Sequence, residues 1–215
     1  MSHFLGHGTP DQLIGEVTNN NNFNNYNALL DKATTQWELE PGQLEDYMNK
    51  IAFHESSYGT PRYSPIQQTN EGEGPGRGMF QFEKTYLYPE GHELAGQYGQ
   101  AGGLTARNRT ADWFKSQNME VPKWLTQEGM HDPSVGFDAS TLNPEQQKML
   151  FLANYMGKKN PEGHEEDPSI FSSGMKGVTS ENLPEWWAQQ HWAGPAEDKS
   201  ARLTSFGGSM NVYGV

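Results

Sequence analysis

The chain has 215 residues, enough for one well-buried domain, and its 15 Lys and Arg stand against 27 Asp and Glu for a formal net charge of −12. That balance excludes a duplex-binding surface, which needs a basic stripe, and a polybasic membrane anchor. The absence of Cys excludes disulfides and thiolate metal sites. Only 33% of residues are apolar, yet 6 Trp, 9 Tyr and 10 Phe offer bulky core anchors, so the expectation is a folded domain carrying long polar loops.

In chain order, residues 1–27 read as a flexible arm, because Asn19 to Asn22, Asn24 and Asn25 have little to bury. Met1 to Pro10 shows neither a basic region nor an apolar stretch, so no secretory leader is expected there. No run of eighteen apolar residues occurs, so no spanning helix is expected either. The remaining 28–215 reads as one domain. Ala28, Leu29, Leu30 and Ala33 predict a short helix ending near Trp37.

Pro41-Gly42 then opens a second helix, with Leu44, Tyr47, Met48, Ile51 and Glu55 at helical intervals. Ser56, Ser57, Gly59 and Pro61 stop it, which places Glu55 in the last turn. The negative end of the helix dipole disfavours a carboxylate there, so a Glu at this point is unusual for a merely solvating residue.

Residues 58–78 predict a long Gly/Pro-rich loop, and Met79-Phe80-Gln81-Phe82 follows it directly. Residues 89–105 are again Gly-rich, and helices are expected at about 107–117 and 121–129. Asn143-Pro144-Glu145 opens a further helix carrying Met149, Leu150, Leu152, Ala153 and Met156. Lys159 to Pro168 is a charged loop. Two last helices, Leu183 to Trp192 and Ala196 to Phe206, would hinge at Gly194-Pro195. Almost nothing alternates with a strand period, so the reading is mainly α, with at most a small β hairpin near the Gly-rich loop.

Three segments matter jointly: Ala52-Phe53-His54-Glu55-Ser56-Ser57, Arg77-Gly78-Met79-Phe80-Gln81-Phe82 and His191-Trp192-Ala193-Gly194-Pro195. In order and spacing they resemble the signature stretches of the lytic transglycosylase and goose-type lysozyme superfamily. There a Glu-Ser pair ends a helix, a Gly-Leu-Met-Gln-like segment follows a loop, and a Tyr-Asn-Ala-Gly-Pro-like segment comes near the C-terminus. The likeness spans roughly residues 40–206 and is carried by the motifs rather than the whole stretch. Met79 stands for the usual Leu, Phe80 for the usual Met, and His191-Trp192 for the usual Tyr-Asn.

The resemblance implies a lysozyme-like domain of the soluble lytic transglycosylase type, with a glycan cleft and peptidoglycan strands as substrate. Glu55 would be the single catalytic acid/base. It would protonate the bond after N-acetylmuramic acid, then take the proton of the C6 hydroxyl and close a 1,6-anhydro ring. Ser56, Gly78, Met79, Phe80, Gln81, His191 and Trp192 would bind substrate. Gln81 would hold a substrate amide or the Glu55 carboxyl, and Gly78 would let the backbone pass close to a sugar. A Glu at a helix end beside Phe53 and Met79 is expected to have its pKa raised, as a general acid requires.

Many members of the superfamily ride in phage particles. The arm is then a candidate contact with other virion proteins, and the place of action the host cell wall or periplasm. A hydrolytic goose-type muramidase is the competing enzyme, with Glu71, Glu73 or Glu83 as second carboxylate. A non-catalytic glycan-binding virion protein is the alternative outside enzymes.

Other chemistries fail on spacing. Tyr58 stands where a zincin needs its second His after His54, and the 7 His are scattered. Gly72 to Gly78 lacks the Lys-Ser/Thr of a phosphate loop, and no Gly-x-Ser-x-Gly elbow exists. No metal and no cofactor are expected. The three Trp at 186, 187 and 192 read as packing residues of the last helices.

Overall fold

Tyr26, Leu29, Leu30, Ala33 and Trp37 lie on one face of a helix and are all buried. In the computed structural model, which describes residues 10–70, 72–84, 102–126, 137–156, 174–191 and 203–209, that helix is α1, Pro10–Trp37. The expected arm boundary after residue 27 thus falls inside a continuous helix, and Tyr26 belongs to the core. Asn costs at most about 0.7 kcal/mol per residue relative to Ala in a helix. A helix nucleated by the packed stretch therefore extends back through the Asn run, as propagation is far cheaper than nucleation.

Helix α2, Pro41–Ser56, starts on a proline and buries Leu44, Tyr47, Met48, Ile51 and Ala52. The Tyr26 hydroxyl donates to Glu45 Oε1 at 2.7 Å, joining α1 to α2. Desolvation, then the Glu45 carboxylate, push the Tyr26 phenol far above its usual pKa.

The expected loop holds a three-stranded antiparallel sheet: β1 Ile66–Thr69, β2 Gly72–Arg77 and β3 Phe82–Glu83, in that order. Nothing in the composition of β2 favours a strand. Arg77 organises it instead. Its backbone pairs with Ile66 on one side and Phe82 on the other. Its buried guanidinium donates to the carbonyls of Gly74 at 2.6 Å and Gly76 at 2.8 Å, and Nε lies 3.5 Å from Asp138.

Helix α3, Gly102–Ser116, begins a little before its expected start. Of the helix expected at 121–129, residues 127–129 lie outside the described residues and 121–126 hold a single 3-10 turn, Lys123–Leu125. Thr126 leaves it in an extended conformation, its hydroxyl closing the turn on Lys123 O at 2.7 Å. Helix α4, Pro144–Met156, opens with reciprocal bonds between Asn143 and Gln146, at 2.9 and 3.0 Å. It packs against α1 and α3.

The helix expected from Leu183 to Trp192 is one α turn, α5 Leu183–Trp186, which widens into a π turn, Trp187–His191. Residues 203–209 form α6. The Gly194-Pro195 hinge lies outside the described residues. The described chain is therefore mainly α with one small sheet, and no described helix is long and apolar enough to cross a membrane.

Gly174 couples two of these elements. It has φ 88°, its carbonyl accepts the Trp186 indole N–H at 2.7 Å, and a Cβ there would overlap the Trp37 indole. Gly174→Ala should lower the unfolding free energy by about 3 kcal/mol, through strained backbone and an overfilled core. Urea unfolding of the pair checks this: an unchanged midpoint would show that Trp37 moves aside at no cost.

Candidate functional site

The end of α2 is fixed by its cap. Ser57 adopts the left-handed conformation at φ 57°, its N–H donates to Phe53 O at 2.8 Å, and the Tyr58 N–H reaches Ala52 O at 3.4 Å. This pair of bonds stops the helix one residue after Glu55. The Ser56 hydroxyl, buried, shares its proton between Ala52 O at 2.9 Å and Met79 O at 3.0 Å, so it ties the helix end to the sheet. That use is structural, and it leaves Ser56 no face for substrate.

The Arg77-to-Phe82 segment is fastened from the other side by α4. Gln147, itself buried, accepts the Met79 N–H at 2.6 Å and donates to Leu142 O at 2.8 Å. Gly78 has φ 76°, and the space a Cβ would take is occupied by Gln147 Oε1 and Ala139 O. The protein's own packing therefore requires glycine at 78.

Met79 and Phe80 are fully buried, and Phe80 stacks on Phe151 at 4.6 Å. They form core behind the site rather than a wall facing a glycan. The sequence distinguishes apolar from polar here, but not which side of the backbone meets solvent. Gln81, at φ 49°, folds back so that Nε2 donates to Gly78 O at 2.7 Å, while Oε1 is buried with no hydrogen-bond partner. The backbone of His191 closes the π turn; its side chain and Trp192 lie outside the described residues.

Glu55 is half-buried, and its Oε1 accepts the Trp187 indole N–H at 2.6 Å. An indole only donates. When Glu55 is neutral, the better acceptor oxygen faces Trp187 and the acid proton belongs on Oε2. Trp187 meets His54 edge-on at 4.6 Å and Phe206 of α6 at 5.3 Å, while His54 Nδ1 and Ser209 Oγ share a hydrogen bond of 2.9 Å. Tyr155 of α4 is also in electrostatic reach of Glu55. Its phenol lies well above its usual pKa, through burial first and the Glu55 charge second, opposed by Arg109 and by a bond with Asn154.

Trp187, which holds the Glu55 carboxyl, and Tyr155, in its electrostatic reach, are residues that sequence reasoning missed. Trp187 reads from the sequence only as a packing residue and Tyr155 is not singled out, because nothing in the pattern separates a packed ring from a packed ring with an aimed polar atom. Among the described residues, no group of three His, Asp or Glu is placed to hold a metal. No family model, curated protein or solved structure matches the chain.

The Tyr155 shift has a testable sign. A phenol raised in the folded state contributes stability that is complete below its unfolded value of 10.0 and is lost as pH rises through the folded value. Unfolding free energy should fall as the pH is raised above about 10, and Tyr155→Phe should flatten that fall by up to about 1.4 kcal/mol per pH unit. Tyr26, shifted the same way, keeps part of the slope. Identical slopes in both proteins would remove Tyr155 from the account.

Proposed function

We propose that the chain is a lysozyme-like, peptidoglycan-cleaving enzyme of the lytic transglycosylase type, with Glu55 as its single acid/base. The observation that carries the reading is the carboxyl of Glu55 at the capped end of α2, held through one oxygen by the Trp187 indole. A half-buried carboxyl with one oxygen fixed and the other bearing the mobile proton suits proton transfer to a glycosidic oxygen. The three segments resembling the superfamily supply the substrate class.

In the reaction, the Glu55 proton goes to the oxygen leaving C1 of N-acetylmuramic acid, and the C1–O bond breaks. The sugar's acetamido oxygen supports the cation. The C6 hydroxyl then bonds to C1 and returns its proton to Glu55, so the acid is regenerated without water.

A hydrolase with two carboxylates has less support. Glu73 is exposed and lies 3.5 Å from the Arg77 guanidinium, and Glu83 is exposed on β3. Glu71 is outside the described residues. Delivery by a phage particle to the host wall, with the N-terminal region meeting other virion proteins, rests on the resemblance alone.

Glu55→Gln should keep the fold and lose cleavage of purified peptidoglycan by about 10²–10⁴-fold. Mass spectrometry of the released fragments should find 1,6-anhydro ends. Reducing ends labelled from heavy-oxygen water would establish hydrolysis, and intact strands would establish binding alone. Activity should also survive EDTA; a loss that zinc restores would overturn the one-carboxylate mechanism.

A further inference from the structure

Trp186 and Trp187 are adjacent, equally buried and used differently. The Trp186 indole donates to a backbone carbonyl, Gly174 O at 2.7 Å, as a core indole does. The Trp187 indole donates to the carboxyl of Glu55, 132 positions away in sequence. Its ring is 1% exposed, and His54 and Phe206 set its plane, so the N–H has one direction to point.

The backbone changes at the same residue. The α turn ends at Trp186 and the π turn starts at Trp187. A π turn is rare and is frequently found at functional sites.

We infer that Trp187 is the positioning residue of the acid/base: its N–H keeps Glu55 Oε1 as an acceptor throughout the reaction and confines the moving proton to Oε2. An indole suits this role for a chemical reason. A hydroxyl can reverse from donor to acceptor and an imidazole can titrate, but an indole does neither in the working pH range. The bond therefore persists in both protonation states of Glu55, and the carboxyl does not need to rotate between the two proton transfers. The inference rests on Glu55 being the acid/base.

The test combines kinetics with a spectrum. Trp187→Phe keeps a ring and removes the donor. It should lower kcat by about ten- to a hundredfold with KM unmoved, the mark of a misaligned catalytic group. The alkaline limb of its pH–rate profile should move to higher pH, since a carboxylate that loses an N–H donor ionises less readily. In the ¹H–¹⁵N spectrum of the wild-type chain, the Trp187 indole resonance should titrate with Glu55 and cease to titrate in Glu55→Gln.

An indole resonance indifferent to both pH and Glu55→Gln overturns the inference. That spectrum decides by itself should Trp187→Phe not fold. Unchanged kcat and pH profile in folded Trp187→Phe, with Glu55→Gln inactive, overturn the positioning role and leave the catalytic reading standing. An active Glu55→Gln overturns the catalytic reading, and the positioning role with it.

Discussion

Phe151, near the middle of α4, is the ring on which the arrangement depends. It stacks against Phe80 at 4.6 Å, against Tyr155 at 4.7 Å and, more distantly, against Trp186 at 6.1 Å. One buried side chain thus fixes the end of the sheet, the wall of α4 and the start of the π turn. Aromatic pairs of this kind contribute about 0.5–1.5 kcal/mol each beyond their buried area. The neighbouring turns of α4 serve the polar side, with Gln147 gripping Met79 and Tyr155 in electrostatic reach of Glu55.

The carboxyl is consequently located from three directions. The Ser57 cap sets where α2 ends, the Ser56 hydroxyl ties that end to Met79 O, and the Trp187 indole sets the carboxyl plane. Each of these is a hydrogen bond in buried or half-buried surroundings, where an unmade bond costs about 1–3 kcal/mol. A side chain held in this way keeps few alternative conformations, so the position of its carboxyl is set by the fold.

Much of this was legible beforehand where local chemistry and global packing agree. The spacing of Leu44, Tyr47, Met48 and Ile51, followed by Ser-Ser and a proline, marked α2 and put Glu55 in its last turn. Asn143-Pro144 marked the start of α4. What escaped was imposed from a distance. Strand β2 is unreadable in Gly-Glu-Gly-Pro-Gly-Arg because the Arg77 guanidinium and neighbouring strands, not local propensity, make it a strand. The polar first half of α1 is helical by extension from a packed half. Val121, Trp124 and Leu125 have helical spacing, but among the described residues this stretch holds one 3-10 turn, Lys123–Leu125. Ser56, Met79 and Phe80 read toward a cleft from the sequence but face inward: the Ser56 hydroxyl is held by Ala52 O and Met79 O, Gln147 grips the Met79 N–H, and Phe80 packs on Phe151.

The sequence separation of the Glu55–Trp187 contact bears on when the site comes into being. Joining chain positions 132 apart costs about 4 kcal/mol of chain entropy. A hydrogen bond to a charged group returns about 1.5–3 kcal/mol. The bond cannot draw its own ends together; burial of Trp186, Trp187 and Phe206 must do so first. Glu55 leaves the ribosome long before residue 187, so a growing chain can complete α2 while its carboxyl still lacks the indole anchor. Assembly of the site is therefore deferred to the end of synthesis, and a chain cut short before α5 would carry the carboxyl without its anchor.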